Sequence, residues 1–301
     1  MASITHSAPQ ECALQFRIGG LKCWSLSDGY IPSPVKNSAP VVPEAELAAF
    51  LSERGEHLTE RNTPLNCLLI ELPKVGYTVV DAGIGSMPGV GGKPVATAGR
   101  FRESLAASGV SPSEINVVLV SHLHPDHIGG LFGDDDQPLF ANATYFVPEE
   151  DVEFWGGSTP DLSGSLLPPP MRVDVVKAAH RFLRLAAGKL STFRAGEDPV
   201  PGVRSMLLAG HTPGQVGFLF ESEGEALLYS ADAISHPFIS IERPEWRHGF
   251  DADSNRAIAT RKVLIVQLLE NSWYNFTPHF PWPAFGRLRA KEDAVFWHPG
   301  R

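Results

Sequence analysis

Ile115-Asn116-Val117-Val118-Leu119-Val120-Ser121-His122-Leu123-His124-Pro125-Asp126-His127-Ile128-Gly129-Gly130 decides how this chain is read. Its first part is a short apolar run, the length of a buried strand rather than of a helix. Three imidazoles and one carboxylate then fall between His122 and His127. Alternate side chains of an extended chain point the same way, so His122 and His124 can share one metal ion. Pro125 and the Gly129-Gly130 pair break the extended run, and the turn swings Asp126 and His127 to a second position close by. Four such groups at a strand end have no structural excuse, because buried lone pairs and charges without partners are costly. The spacing therefore reads as a metal site, and it suits a pair of ions better than one.

Three later strand ends carry matching groups. The apolar run 203–208 leads into Gly210-His211-Thr212-Pro213-Gly214, whose glycines allow close backbone approach. The run 226–230 ends in Ala231-Asp232-Ala233, and Tyr274-Asn275-Phe276-Thr277 leads into Pro278-His279-Phe280-Pro281. A buried carboxylate is rarely left unpaired. The 122–127 cluster needs further ligands to close its sites, and His211, Asp232 and His279 can supply them. His298 and His236 compete with His279 for the last position. His298 lies on an alternating terminal strand and reads as structural. His236 follows Asp232 too closely to reach an opposite ion and reads as pocket lining. His180 sits on an amphipathic stretch and reads as packing or surface. Asp81, in the Asp81-Ala82-Gly83 turn, reads as a turn cap or an orienter of a ligand rather than as a ligand.

Around these sites the chain alternates strands and helices. Residues 1–12 form a loose tail. Ala13–Ile18 and Leu21–Leu26 form a hairpin about Gly19-Gly20, and Asp28-Gly29 makes another turn. Residues 31–43 are rich in Pro and Ser and read as an exposed loop. Pro43 starts a helix through Leu51. Strands are expected over 66–72, 77–81, 143–147, 203–208, 216–220, 226–230 and 294–297. Helices are expected over 100–108, 149–155, 173–190 and 255–269. The long 156–170 loop has the character of a substrate mouth. Strands and helices run in sequence twice over, with polar ligands at strand ends. This predicts an α/β fold in which two β-sheet layers face each other with helices outside, built as one domain over residues 1–301.

Bulk properties exclude several function classes. The chain has 34 acidic and 25 basic residues, a formal net charge of −9, and no Lys/Arg block. Nucleic acid is therefore not an expected partner, since polyanion binding needs a basic footprint. No apolar run approaches the ~20 residues of a membrane span. Cys12, Cys23 and Cys67 form no Cys-x-x-Cys pair, which fits a reducing compartment. The first ten residues lack a basic segment followed by an apolar core. A cytoplasmic protein acting on a small molecule, with no membrane partner, is the expectation. The apolar stretch Phe280–Phe285 offers a face for a homodimer.

The pattern His122-x-His124-x-Asp126-His127, followed by His211, Asp232 and His279, resembles the metallo-β-lactamase superfamily of binuclear hydrolases. The Asp81-x-Gly83 turn matches it too. The stretches 278–286 and 295–299 are most similar to the branch containing methyl parathion hydrolase and its lactonase and arylesterase relatives. Two departures stand beside the likeness: those hydrolases carry export signals, which this chain does not show, and the 233–250 loop has its own residues. The resemblance implies an αββα sandwich and two divalent ions, zinc first with Mn, Fe or Co also admitted. One ion falls to His122, His124 and His211, the other to Asp126, His127 and His279, with Asp232 bridging. It implies hydrolysis of a small, aromatic ester or lactone by a metal-bridging hydroxide, with Asp126 or Asp232 shuttling the proton. A phosphotriester hydrolase is the alternative on the same site, and a mononuclear iron oxidoreductase is an alternative of another class. Trp155, His236, Phe238, Phe250 and Trp282 are candidates for the substrate pocket.

Overall fold

The computed structural model describes residues 11–89, 92–292 and 294–300. The expected tail over 1–12 falls almost wholly outside them. The first sheet holds β1 (Ala13–Ile18), β2 (Leu21–Pro34), β3 (Glu60–Leu72), β4 (Gly76–Val80), β5 (Ile115–Leu119), β6 (Thr144–Pro148) and β7 (Leu190–Phe193), side by side in that order. β1 to β4 are antiparallel neighbours, and β4 to β7 run parallel. Parallel neighbours need crossovers, and helices supply much of them. In chain order this half carries α1 (Glu44–Ser52), α2 (Phe101–Ala107), α3 (Pro125–Ile128), α4 (Glu149–Gly156) and α5 (Pro169–Ala186). The second sheet has the order β13-β12-β11-β10-β9-β8. Its strands are β8 (Val203–Leu207), β9 (Val216–Ser222), β10 (Glu225–Tyr229), β11 (Tyr274–Phe276), β12 (Phe285–Lys291) and β13 (Ala294–Pro299), with α6 (Ile239–Glu242) and α7 (Ser254–Glu270) between β10 and β11.

Strand periodicity explains the layering. Leu68 and Ile70 of β3 face Phe218, Phe220, Leu227 and Tyr229 of the second sheet, forming the core between the layers. Their neighbours Cys67 and Leu69 point the other way, into a core with Phe101 and Leu105 of α2 and Phe182 of α5. In β10, Leu227 and Tyr229 face inward while Leu228 packs outward with Leu264, Ile265 and Leu268 of α7. Strands buried on both faces read as continuous apolar runs, which is why β3, β5 and β10 show little alternation. Each fully buried Leu or Phe contributes roughly 1.5–3 kcal/mol. The result is the expected αββα sandwich.

The sequence reading needs correction in four places. Residues 31–43 are not an exposed loop. β2 continues to Pro34, paired with β3 down to Glu60, and Val35, Ala39 and Val42 are buried against Leu47, Phe50 and Leu51 of α1. β1 covers β2 only as far as Leu26, so the prolines lie where β2 has a free edge and no neighbour requires their N–H. Asp28-Gly29 is not a hairpin turn but a bulge within β2, where the register shifts between Ser27 and Gly29. Gly29 has φ +97°, and a Cβ there would stand 2.1 Å from the Thr97 carbonyl oxygen. The expected 173–190 helix begins earlier, with Pro169 in its first turn, and ends at Ala186; Leu190 already belongs to β7. β12 was not anticipated, because Arg287, Arg289 and Lys291 hide its apolar residues from a strand search. Among the described residues, no helix is long and apolar enough to cross a membrane.

Candidate metal centre

The two sheets bring their strand ends to one edge. β5 delivers His122, His124, Asp126 and His127, the last two on α3; β8 delivers His211; β10 delivers Asp232; β11 delivers His279. Two groups of donor atoms gather there, His122 with His124 and His211, and Asp126 with His127 and His279, each within 4.8 Å. Asp232 stands between them. Its Oδ2 lies 3.3 Å from His211 Nε2 and 3.1 Å from His279 Nε2, and its Oδ1 lies 3.3 Å from His127 Nε2. Asp126 Oδ2 is 3.5 Å from His279 Nε2. All seven side chains named from the sequence therefore converge.

The hydrogen bonds behind these rings fix their tautomers. Ser121 Oγ donates its single proton to Asp81 Oδ2 at 2.6 Å, so His122 Nδ1, 3.0 Å from that oxygen, must be the donor to it. His122 Nε2 is then a bare lone pair, buried and without a hydrogen-bond partner among the described residues. His127 Nδ1 donates to Asp81 Oδ2 at 2.7 Å, His211 Nδ1 to Asp251 Oδ1 at 3.2 Å, and His279 Nδ1 to the Pro64 carbonyl at 2.9 Å. Each of these rings presents Nε2 to the shared space. His124 uses the other nitrogen, and its Nδ1 faces His211 Nε2 at 2.9 Å. Converging lone pairs with tethered far sides are what a metal ion requires of imidazole ligands.

Charge points the same way. Burial and the neighbouring imidazoles hold His122 and His124 well below the ordinary histidine range, so both are neutral donors. Burial also acts to lower His127, but Asp232, Asp81 and Asp126 override it and raise that ring well above the usual value. For Asp232, burial is opposed by His279, His127 and His211, which hold it well below the carboxylate range. Carboxylates that draw His127 so far upward mark a demand for positive charge at the site, one that divalent cations meet. The donor set therefore fits a metal centre.

A model of the metallo-beta-lactamase superfamily matches residues 62–267, which span β3 through most of α7. The chain belongs to the metallo-β-lactamase superfamily. It is thus a metal-dependent hydrolase. Among solved structures, it is similar to AidC, a dizinc quorum-quenching lactonase in complex with the product N-hexanoyl-L-homoserine. That likeness has 28% identity and a TM-score of 0.88 over 96% of this chain and 97% of that one. It is similar to the hydrolase AbOPH of the same superfamily at 24% identity, TM-score 0.86, over 97% and 99% of the two chains. A quorum-quenching N-acyl homoserine lactone lactonase matches at 18% identity, TM-score 0.60, over 90% of this chain and all of its own.

Within this superfamily member, the structure redistributes the residues expected around the pocket. Trp155 does not line an opening: it is fully buried, with its ring edge-on to His124 at 5.6 Å and to Phe154 at 4.9 Å. His236 is also buried, and its Nδ1 accepts from the backbone N–H groups of Phe238 and Ile239 at the start of α6. Phe238 is half-buried against the cluster of Val35 and Ile239. Phe250 is half-buried with its ring 5.6 Å from His248, and Trp282 is half-buried in the turn after His279. His180 bonds the Gly157 carbonyl at 3.1 Å, and His298 is exposed on β13.

Sequence reasoning missed the residues that hold the ligands. Asp251 ties His211 to Arg261 of α7, whose Nη2 lies 3.3 Å from the carboxylate and whose Nε donates to the Ala233 carbonyl. Tyr229 donates to Asp81 Oδ2 at 2.7 Å. Asn66 and Arg61 of β3 bond the carbonyls of Pro278, Phe280 and His279. None has a local signature, because each partner is far away in the chain. Asp81 itself carries the orienting role read from its turn, at φ +54°.

Proposed function

We propose that this chain is a binuclear hydrolase, holding two zinc ions and opening the ring of a small lactone or cleaving a small ester. The observation that carries the reading is Asp232, whose two oxygens face donor groups on both sides. His122, His124 and His211 would hold one ion, Asp126, His127 and His279 the other, and Asp232 would bridge. The ion pair, when bound, supplies Lewis acidity to the substrate carbonyl oxygen and lowers the pKa of water toward neutrality. The chain's own groups do the rest. Asp81 and Asp251 hold His127 and His211 so that their Nε2 atoms keep one direction. Asp126, with 23% of its side chain exposed against 7% for Asp232, is the carboxylate with access to solvent, and its Oδ2 is placed to take up and release a proton.

A lactone is preferred because the dizinc lactonase that this chain resembles at 28% identity is similar along almost its whole length. The test is a panel of N-acyl homoserine lactones, other γ-lactones, aryl esters and aryl phosphotriesters, assayed with zinc-reconstituted protein alongside metal analysis. Turnover of lactones or aryl esters with two zinc ions per chain supports the reading. Turnover confined to phosphotriesters refutes the carbonyl substrate, and a single iron per chain refutes the binuclear centre.

A further inference from the structure

The ligands of the proposed first ion come from separate loops, 122–124 and 211, yet both loops rest on one short helix. Asp151, in the first turn of α4, is fully buried. Its Oδ2 accepts from the Leu123 backbone N–H at 2.8 Å, at the residue between His122 and His124. Its Oδ1 accepts from Thr212 Oγ1 at 2.6 Å and from the Gly214 N–H at 3.1 Å, in the turn that follows His211. One carboxylate thus spans the two loops. Four residues on, and so on the same helix face, Trp155 lays its ring against His124. Gly214 shows how closely the second loop is seated: a Cβ there would stand 2.2 Å from the Asp151 backbone nitrogen.

The second group of ligands is held by other means. Asp81 fixes His127, and β3 grips the 278–280 turn through Asn66, Arg61 and the Pro64 carbonyl. Asp151 bonds none of those residues.

From this division we infer that α4 is the template of the first metal position alone. Asp151 is a positioning residue that sets the separation of His122 and His124 from His211, and Trp155 limits the swing of the His124 ring. This rests on the ligand assignment proposed above. A partner of this kind governs metal affinity by holding ligands at one spacing, and its loss typically weakens binding about 10- to 100-fold.

The test is a zinc competition titration against a chromophoric chelator in two backgrounds. His279→Ala leaves the first position intact, and His122→Ala leaves the second. Adding Asp151→Asn places an amide donor against either the Leu123 N–H or the Thr212 and Gly214 donors. The expected result is a 10- to 100-fold loss of zinc affinity in the His279→Ala background and less than about a twofold change in the His122→Ala background. Equal losses in both, or a lower Tm with zinc affinity unchanged, overturn the inference while leaving the binuclear reading intact. Wild-type protein that binds no zinc overturns both. Should Asp151→Asn fail to fold, Thr212→Val removes one donor at constant volume. It should weaken only the first position, with Thr212→Ser restoring it; an unchanged affinity in Thr212→Val overturns the inference.

Discussion

Replacing Asp81 by Asn isolates the contribution of a carboxylate the reaction does not consume. Asp81 accepts four hydrogen bonds: from the Ser121 N–H and Oγ, from His127 Nδ1 and from Tyr229. Asparagine keeps the volume and tolerates the left-handed backbone at φ +54°, so no backbone strain is added. The amide nitrogen, however, meets donors whichever way it turns. On the Oδ1 side it opposes the Ser121 N–H; on the Oδ2 side it opposes His127 Nδ1–H, and the Ser121 and Tyr229 hydroxyls must turn from donating to accepting. Hydrogen bonds to a charged group contribute about 1.5–3 kcal/mol each, and an unsatisfied buried donor costs a further 1–3. With the loss partly relaxed by ring rotation, about 2–4 kcal/mol is expected. For a chain of this size that lowers Tm by roughly 3–6 °C. His127, freed to turn, should lose zinc about 10- to 100-fold, chiefly at the position it shares with His279. Calorimetry of metal-free protein and chelator competition read the two effects separately. Unchanged zinc affinity in a variant with lowered Tm would show that His127 needs no tether, and the tautomer argument built on Ser121 and Asp81 would fall with it.

Other substitutions separate further contributions. His122→Ala should abolish binding at one position, and Asp232→Ala should weaken both, each read by elemental analysis after gel filtration; full occupancy of two ions in Asp232→Ala would remove it as the bridge. Chelation of wild-type protein should lower Tm by several degrees, since a ligand at 100 times its Kd contributes about 2.7 kcal/mol per site; an identical Tm with and without metal would contradict a bound pair. Asp28 is buried and accepts from the Ile84, Gly85 and Phe101 N–H groups, and burial pushes its carboxyl up from the ordinary carboxylate range to about 6. A raised folded pKa means the native state binds the extra proton, so this group makes stability fall as pH rises from about 4 to about 6. Asp28→Asn should flatten that part of the Tm–pH curve, and an unaltered slope would refute the assignment. Gly129→Ala would place a Cβ 2.0 Å from the Ile84 carbonyl oxygen without any φ constraint; overpacking of about 1–3 kcal/mol is expected, and denaturant unfolding checks it.

The fold was legible because its strands are short apolar runs ending in ligands, a pattern that periodicity and ligand chemistry read together. His211, Asp232 and His279 could be named because each follows such a run. Positions governed by distant partners stayed hidden. Asp151 looks like an ordinary acidic residue in a helix's first turn, and only folding places it under Leu123 and Thr212. Asp251 lies just before α7 and its partner Arg261 lies within that helix, and only folding brings the Asp251 carboxylate to His211, forty residues earlier in the chain. The 31–43 segment failed for a different reason: proline reads as loop unless one knows that β1 stops short and leaves an edge. Trp155, a pocket candidate by its aromatic character alone, is buried with its ring edge-on to His124, a neighbour that the sequence does not reveal.

The first sheet supplies four of the converging ligands and the second supplies three, so the ions would sit astride the seam between the layers. Loosening of that seam and escape of metal then become a single event. Hydrogen exchange at the inward amides of β3 and β10 should slow together when zinc is added, more than in the outward helices. The catalytic centre would in this way double as the latch that keeps the two halves of the sandwich shut.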